Sequence, residues 1–241
     1  MASLLYFKVP ALAASMIAEY ISYKSPNPPP QKEETEKYNG GDIVSHIATA
    51  SSYLALAFAW STHAVEIVSI LAKDAHTPTS SALLSALFKF AGPSAVKQLS
   101  VHPAFVAGFS LQLAGAVIRK LCYNTLGRFF TFQLAVRKEH KLVTWGPYAV
   151  VRHPAYTGMF MSIIGMLTVQ LAPGGWVAES GVLNTWLGKG VFGGWTAFLA
   201  LMIVATVRRV SREDAVLRRE FGEQWDEWKK RTPYALVPYV Y

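Results

Sequence analysis

The stretch HKLVTWGPYAVVRHPAYTGMF, residues 140–160, sets two histidines, two prolines, two glycines and two tyrosines immediately before an apolar run. Pro154 suits the first turn of a helix, where its missing N–H is not needed, so the spacing predicts a helix starting near His153. The residue before a proline is held extended, which keeps the His153 backbone outside that helix. TWGPY, just upstream, reads as a turn. A turn feeding a helix start presents free N–H groups and partial positive charge, which suits a carboxylate or a phosphate. Arg152 and His153 are equally readable as ordinary interfacial residues. A second pair, Arg209 and Glu213, lies four residues apart and so projects from one face of a helix leaving an apolar run. Arginines at the end of such a run are also expected for topology alone, and Glu213 is placed to pair with Arg209 on an exposed surface, worth only a few tenths of a kcal/mol.

The elements that must hold these residues are membrane helices. The chain has 241 residues, 52% hydrophobic and 16% charged, with a positive mean hydropathy, which is the composition of an integral membrane protein. A bilayer-crossing helix needs about 20 mostly apolar residues. Segments 4–22, 44–71, 101–121, 155–172 and 191–207 meet that need, the first least securely because Lys8, Pro10 and Glu19 lie in it. The expected fold is all-α and polytopic, with about five spans. SPNPPPQKEETEKYNGGD, between the first two, reads as a solvated linker. Residues 77–94 hold an apolar helix too short to span, lying at the interface or folding back. The start of the chain has no basic n-region or cleavage site of a removable signal peptide.

Charge sets the expected sidedness. Arg119, Lys120, Arg128, Arg137, Lys138, Lys141 and Arg152 precede the fourth span, and eight basic residues follow the fifth, whereas only Lys189 lies between those two spans. The positive-inside rule puts both basic regions in the cytoplasm, where they can meet. In the tail, Leu217, Phe221, Trp225 and Trp228 form one stripe of a helix spanning 208–231, expected to lie on the membrane with its tryptophans at headgroup level. The net charge of +8 flanks apolar runs and does not form a nucleic-acid face. Cys122 is the single cysteine, so no internal disulfide or cysteine-based zinc site is expected. His46, His63, His76 and His102 lack metal-ligand spacing and read as packed or interfacial. Glu66, inside an apolar run, is costly there and normally a functional hint. Gly108 with Gly115, and Gly158 with Gly165, are spaced for close helix packing.

LVTWGPYAVVRHPAYTG, then a hairpin of spans, then RRVSREDAVLRREFGEQWDEWKKRTPYALVP, resembles the isoprenylcysteine carboxyl methyltransferase family. GFSLQLAGAVIRKLCYNTLGRFFTFQLAVRKEHKLVT, just upstream, is similar to it as well, so the resemblance covers roughly residues 101–240. R-H-P-x-Y-x-G alone also occurs in lipid N-methyltransferases and some sterol reductases; the ordered set is more specific. The resemblance implies a methyltransferase core at 101–241, behind an N-terminal membrane region at 1–100 with two spans and the short interfacial helix. It implies methyl esterification of the C-terminal carboxylate of farnesylated or geranylgeranylated cysteine in CaaX-processed proteins, with S-adenosyl-L-methionine, in the endoplasmic reticulum membrane, at a site facing the cytosol. Prenylated protein C-termini and membrane lipid would be the partners, with no nucleic acid and no metal.

The same resemblance implies a cofactor segment at 133–158, formed by Gln133, His140, Lys141, Leu142, Val143, Tyr148, His153, Pro154, Ala155 and Tyr156. Glu213 would touch the cofactor, and Arg209 would hold the substrate. Asp214 stands where many members have a second glutamate, and RTPYALVP is an altered form of the family's arginine-x-proline element. Tyr148 and Tyr156 could wall the sulfonium cation, while His140, His153 and the helix start could hold the cofactor carboxylate. Three alternatives remain: a phospholipid N-methyltransferase, whose amine nucleophile gains nothing from an arginine, a sterol reductase-like enzyme using a nicotinamide cofactor, and a non-catalytic membrane scaffold.

Overall fold

The structure of the protein, a computed structural model, describes residues 2–35 and 43–240. Among them every regular element is a helix. We label the principal ones α1 (Lys8–Tyr23), α2 (Ile43–Ala72), α3 (Pro78–Leu87), α4 (Pro103–Leu126), α5 (Pro154–Leu171), α6 (Trp186–Phe221) and α7 (Glu223–Arg231). Among the described residues five segments are long and apolar enough to cross a membrane: Leu4–Tyr23, Val44–Ala72, Pro103–Phe129, Pro154–Glu179 and Trp186–Phe221. The five expected spans are therefore present, the last starting earlier than its apolar run suggested. The short apolar helix is α3, opened by Pro78 and capped reciprocally: the Thr77 hydroxyl accepts from the Ser80 N–H and the Ser80 hydroxyl from the Thr77 N–H.

The chain forms two units, neither of them continuous in sequence. One comprises Met1–Tyr20, Ala55–Leu113 and Ser162–Leu199, the other Ile21–Leu54, Ala114–Met161 and Ala200–Tyr241. In the first, the charges that made the opening span insecure are buried and paired. Lys8 meets Glu66 at 2.6 Å and donates to the carbonyls of Ser100 and Gly174 at 3.1 and 3.0 Å. The other Glu66 oxygen accepts the Trp176 N–H at 3.0 Å. Glu19 accepts from His63 Nε2 at 2.9 Å and from Gln112 Nε2 at 2.8 Å. These bonds give Glu66 and His63 structural partners in an environment where an unpaired charge is costly. Around them pack Leu12, Ile70, Phe88, Phe105 and Val169. A Cβ on Gly165 would lie 2.6 Å from the Gln112 nitrogen and the Gly108 carbonyl, so α4 and α5 approach each other as only small residues allow.

Helix α6, whose C-terminal part belongs to the second unit, is 36 residues long, about 54 Å at 1.5 Å per residue, well beyond a hydrocarbon core of about 30 Å. The single tail helix expected at 208–231 is therefore two helices. Residues 208–221 continue the last span, and the chain breaks at Gly222, whose φ of +54° suits a residue without a side chain. Leu217, Phe221, Trp225 and Trp228 therefore lie on two helices and meet in one cluster, where the tryptophans are buried with Tyr123, Tyr148 and Val143 and do not reach outward to headgroups. The linker is also more engaged than its composition suggested. Asn27 donates to the Gly127 and Phe130 carbonyls, Arg137 to the Pro28 carbonyl, and the Val136 N–H to the Glu34 carbonyl. Its second half, residues 36–42, lies outside the described residues.

Candidate active site

The predicted helix start is where α5 begins. Pro154 opens it, and the His153 carbonyl accepts the Tyr156 and Thr157 N–H groups at 3.0 and 3.3 Å. The backbone N–H groups just before the helix are directed to the end of the chain. Arg152 N–H donates to the Tyr234 carbonyl at 3.0 Å and His153 N–H to the Ala235 carbonyl at 2.8 Å. One turn into α5, the Thr157 hydroxyl donates to the Leu236 carbonyl at 2.6 Å. The altered RTPYALVP element thus forms a backbone clasp on the RHP turn, at the place where the helix start was expected to offer N–H groups to an anionic ligand.

Side chains extend this junction. Arg152, buried, donates to the Thr232 and Pro233 carbonyls and meets Asp214 at 3.0 Å. Asp214 also takes His153 Nε2 at 2.9 Å. On its other edge the His153 ring comes within 3.7 Å of Glu213, and it stacks on Tyr156 with centroids 5.6 Å apart. The Tyr156 hydroxyl donates to Glu213 at 2.6 Å. Arg209 is 3% exposed, donates to the Phe132 carbonyl at 2.7 Å, and sits with its guanidinium carbon 5.9 Å from the Tyr156 ring centre. Arg209, Glu213, Tyr156 and His153 therefore form one contiguous group drawn from α6 and the start of α5. Asp214 and Arg152 complete it. Both are residues whose role depends on bonds across some 60 to 80 positions of sequence, and their types alone did not identify them.

Tyr148 lies beside this group in the apolar cluster with Cys122, Leu142, Val143 and Ala155. Burial pushes its phenol well above the usual tyrosine range, and Cys122, Glu213 and Tyr156 add to the shift. Its carbonyl accepts the Trp228 Nε1–H at 3.0 Å, which ties the turn to α7. The remaining residues of the predicted cofactor segment are placed differently. His140 stacks on Phe129 at 4.7 Å and meets Phe221 edge-on at 5.8 Å, Lys141 is exposed and Gln133 half-buried. Residues 130–145 are non-helical, and this loop is secured by the Leu134 N–H on Ser45 as well as by Asn27 and Glu34. Linker residues as supports of the loop are a feature that sequence reasoning missed; the proline-rich, charged composition around Asn27 indicated only a solvated linker.

Buried arginines also revise the charge count behind the predicted sidedness. Arg119 and Arg152 are 3% and 7% exposed, so they act as internal donors rather than as loop charges.

Fold and site together define a polytopic helical membrane protein with a buried ionic junction where a loop, a helix start and the end of the last span meet. Residues 106–186 match the sequence pattern of the isoprenylcysteine carboxyl methyltransferase (ICMT) family. The chain is 30% identical over 135 residues to protein-S-isoprenylcysteine O-methyltransferase B of Arabidopsis thaliana, covering 55% of this chain and 58% of that one. It is 30% identical over 139 residues to protein-S-isoprenylcysteine O-methyltransferase of Schizosaccharomyces pombe, covering 57% and 50%. The nickel-cobalt-cadmium resistance protein NccN of Alcaligenes xylosoxydans xylosoxydans is 36% identical over 110 residues, covering 45% and 42%. The match thus spans about half the length of these relatives. Arg209 and Glu213 lie outside the segment matched by the family pattern.

Proposed function

We propose that the chain esterifies the C-terminal carboxylate of a farnesylated or geranylgeranylated cysteine, as a protein-S-isoprenylcysteine O-methyltransferase, using S-adenosyl-L-methionine. The observation that carries this reading is the buried Arg209 beside Tyr156, Glu213 and His153, in a chain whose relatives carry that enzyme's name. A guanidinium is a planar donor suited to a carboxylate. The relatives' names bring the prenylcysteine.

The residues present fit such a cofactor. Glu213, partly exposed, is a carboxylate for its ammonium group; the non-helical loop 130–145 offers backbone amides and carbonyls; and Tyr148 and Tyr156 supply aromatic faces for a cation. Gln133, His140 to Val143, Tyr148, His153 to Tyr156 and Glu213 would hold it. When bound, the cofactor supplies a methyl group on a sulfonium sulfur. A peptide's C-terminal carboxyl ordinarily titrates at about pH 3.3–3.7, so the nucleophile is already ionised at neutral pH and no general base is required. The role of Arg209 is orientation, keeping one carboxylate oxygen available while holding the group in line, and such positioning supplies roughly 7–11 kcal/mol of a barrier. Asp214 and Arg152 keep His153 and the α5 start in place. A prenyl chain prefers the bilayer and a charged methyl donor prefers water, so a site at the boundary serves both. We place the enzyme in the endoplasmic reticulum membrane with this site facing the cytosol, in accord with the basic residues of the tail.

The test is methyl transfer by purified protein in lipid from labelled S-adenosylmethionine. A base-labile methyl ester on farnesylcysteine analogue is expected. Label in phosphatidylethanolamine instead would assign the protein to amine methylation, and stabilisation by NADPH but not by S-adenosylhomocysteine would assign it to reduction.

A further inference from the structure

Arg119 lies in α4, is 3% exposed, and has no part in the chemistry described above. Its Nη1 donates to the Ala155 carbonyl, in the first turn of α5, at 2.9 Å. Its Nε donates to the Tyr123 hydroxyl at 2.8 Å, which in turn donates to the Ser22 carbonyl at 3.1 Å. The guanidinium carbon also sits 5.2 Å from the centre of the Phe132 ring, and the Phe132 carbonyl is the group that holds Arg209. Space for this arrangement comes from Gly158: a Cβ there would lie 2.9 Å from the Arg119 Cγ and 2.8 Å from the Gly115 carbonyl.

We propose that Arg119 is a positioning residue for the methyl transfer, setting the spacing between the α5 start and the Phe132 carbonyl that orients Arg209. This rests on the function proposed above. A buried cation in a span is normally attached to something that justifies its desolvation, and here the attachments are two surfaces of the candidate site. The guanidinium is fixed on three sides, by a carbonyl, a hydroxyl and a ring face. Lysine cannot reproduce that, because its ammonium is a point donor without a plane to lie over Phe132. The residue does not touch the predicted cofactor or substrate atoms; it acts through Ala155 and Phe132.

Arg119→Lys is the principal variant, with Tyr123→Phe as a milder second that removes the hydroxyl bonded to Nε and keeps the ring. Hydrogen exchange, thermal unfolding and methyl transfer are measured on the full chain in lipid. We expect Arg119→Lys to speed exchange of the amides of Phe132, Tyr156 and Thr157 while α3 amides are unchanged, and to lower kcat by about a hundredfold, the scale of a displacement of roughly 1 Å at a reacting centre. Tyr123→Phe should move both readouts the same way by less. In a double-mutant cycle, Arg119→Lys and Arg209→Lys should be non-additive because they share the Phe132 contact. Unchanged exchange at those three amides, or additive losses in kcat, would overturn the proposal. If Arg119→Lys does not fold, Tyr123→Phe decides by the same exchange readout. Wild-type protein that transfers no methyl to prenylcysteine would refute the function, while the exchange pattern would still decide whether Arg119 positions these two segments.

Discussion

His153 Nε2 and the Asp214 Oδ1 meet at 2.9 Å across 61 positions of sequence, and the same carboxylate takes Arg152 through its second oxygen. Asp214 therefore neutralises the buried Arg152 and fixes one edge of the His153 ring, leaving the other edge toward Glu213. Removing it with Asp214→Ala leaves the Arg152 charge buried without that counter-ion, and loss of one partner of a buried pair costs about 3–5 kcal/mol. A lower thermal midpoint in detergent is expected, with Asp214→Glu closer to wild type because it keeps the charge. An unchanged midpoint for Asp214→Ala would mean that the Thr232 and Pro233 carbonyls alone hold Arg152.

Arg209→Lys should lower turnover on prenylcysteine about 10- to 150-fold, the equivalent of a charged hydrogen bond of about 1.5–3 kcal/mol. S-adenosylhomocysteine affinity should change much less. Glu213→Gln should show the reverse pattern, with weaker binding of that product, because Glu213 is the carboxylate assigned to its ammonium group. Titration calorimetry beside steady-state rates separates the two. Equal effects of both variants on affinity would remove the division of labour.

Lys8 and Glu66 are both buried and 2.6 Å apart. Either Lys8→Met or Glu66→Gln should destabilise the protein by about 3–5 kcal/mol, and the double variant by less than the sum, since the charge left behind in each single variant is then absent. Unfolding in a denaturing detergent series measures this. Additive losses would show that the two residues act separately.

Tyr148 gives a dependence on pH whose sign follows from its burial. Its phenol is held well above the usual range in the folded protein, whereas the unfolded chain loses that proton near pH 10. Between those values the unfolded state binds fewer protons, so stability is level below about pH 10 and falls as pH rises beyond it. Thermal midpoints of wild type and Tyr148→Phe, compared from pH 8 to 11, should diverge only at the alkaline end, with the variant falling less.

Much of this was legible in the residues, for identifiable reasons. The five apolar runs are spans because bilayer thickness sets their length, and Pro154 marks the start of α5 because few other positions in a helix tolerate it. Arg209 and Glu213 stood out by spacing, His153 by its place before Pro154 and Tyr156 through the family resemblance, and the four do come together. The stripe through Leu217 and Trp228 was compatible with one unbroken helix, so the bend at Gly222 was not evident. Lys8 and Glu19 looked like defects in a span because each was weighed alone, whereas their partners Glu66, His63 and Gln112 come from other helices. The contact of 152–157 with 234–236 had no signature, since two of its three donors and all its acceptors are main-chain atoms.

Tyr234, Ala235 and Leu236 grip the RHP turn through carbonyl oxygens common to every amino acid, so the clasp itself is indifferent to side-chain type, and what restricts Ala235 and Leu236 is their packing on Val210. A substitution scan should find Tyr234 permissive and the buried Ala235 and Leu236 restricted in size, whereas deletion of the three should abolish the folded site.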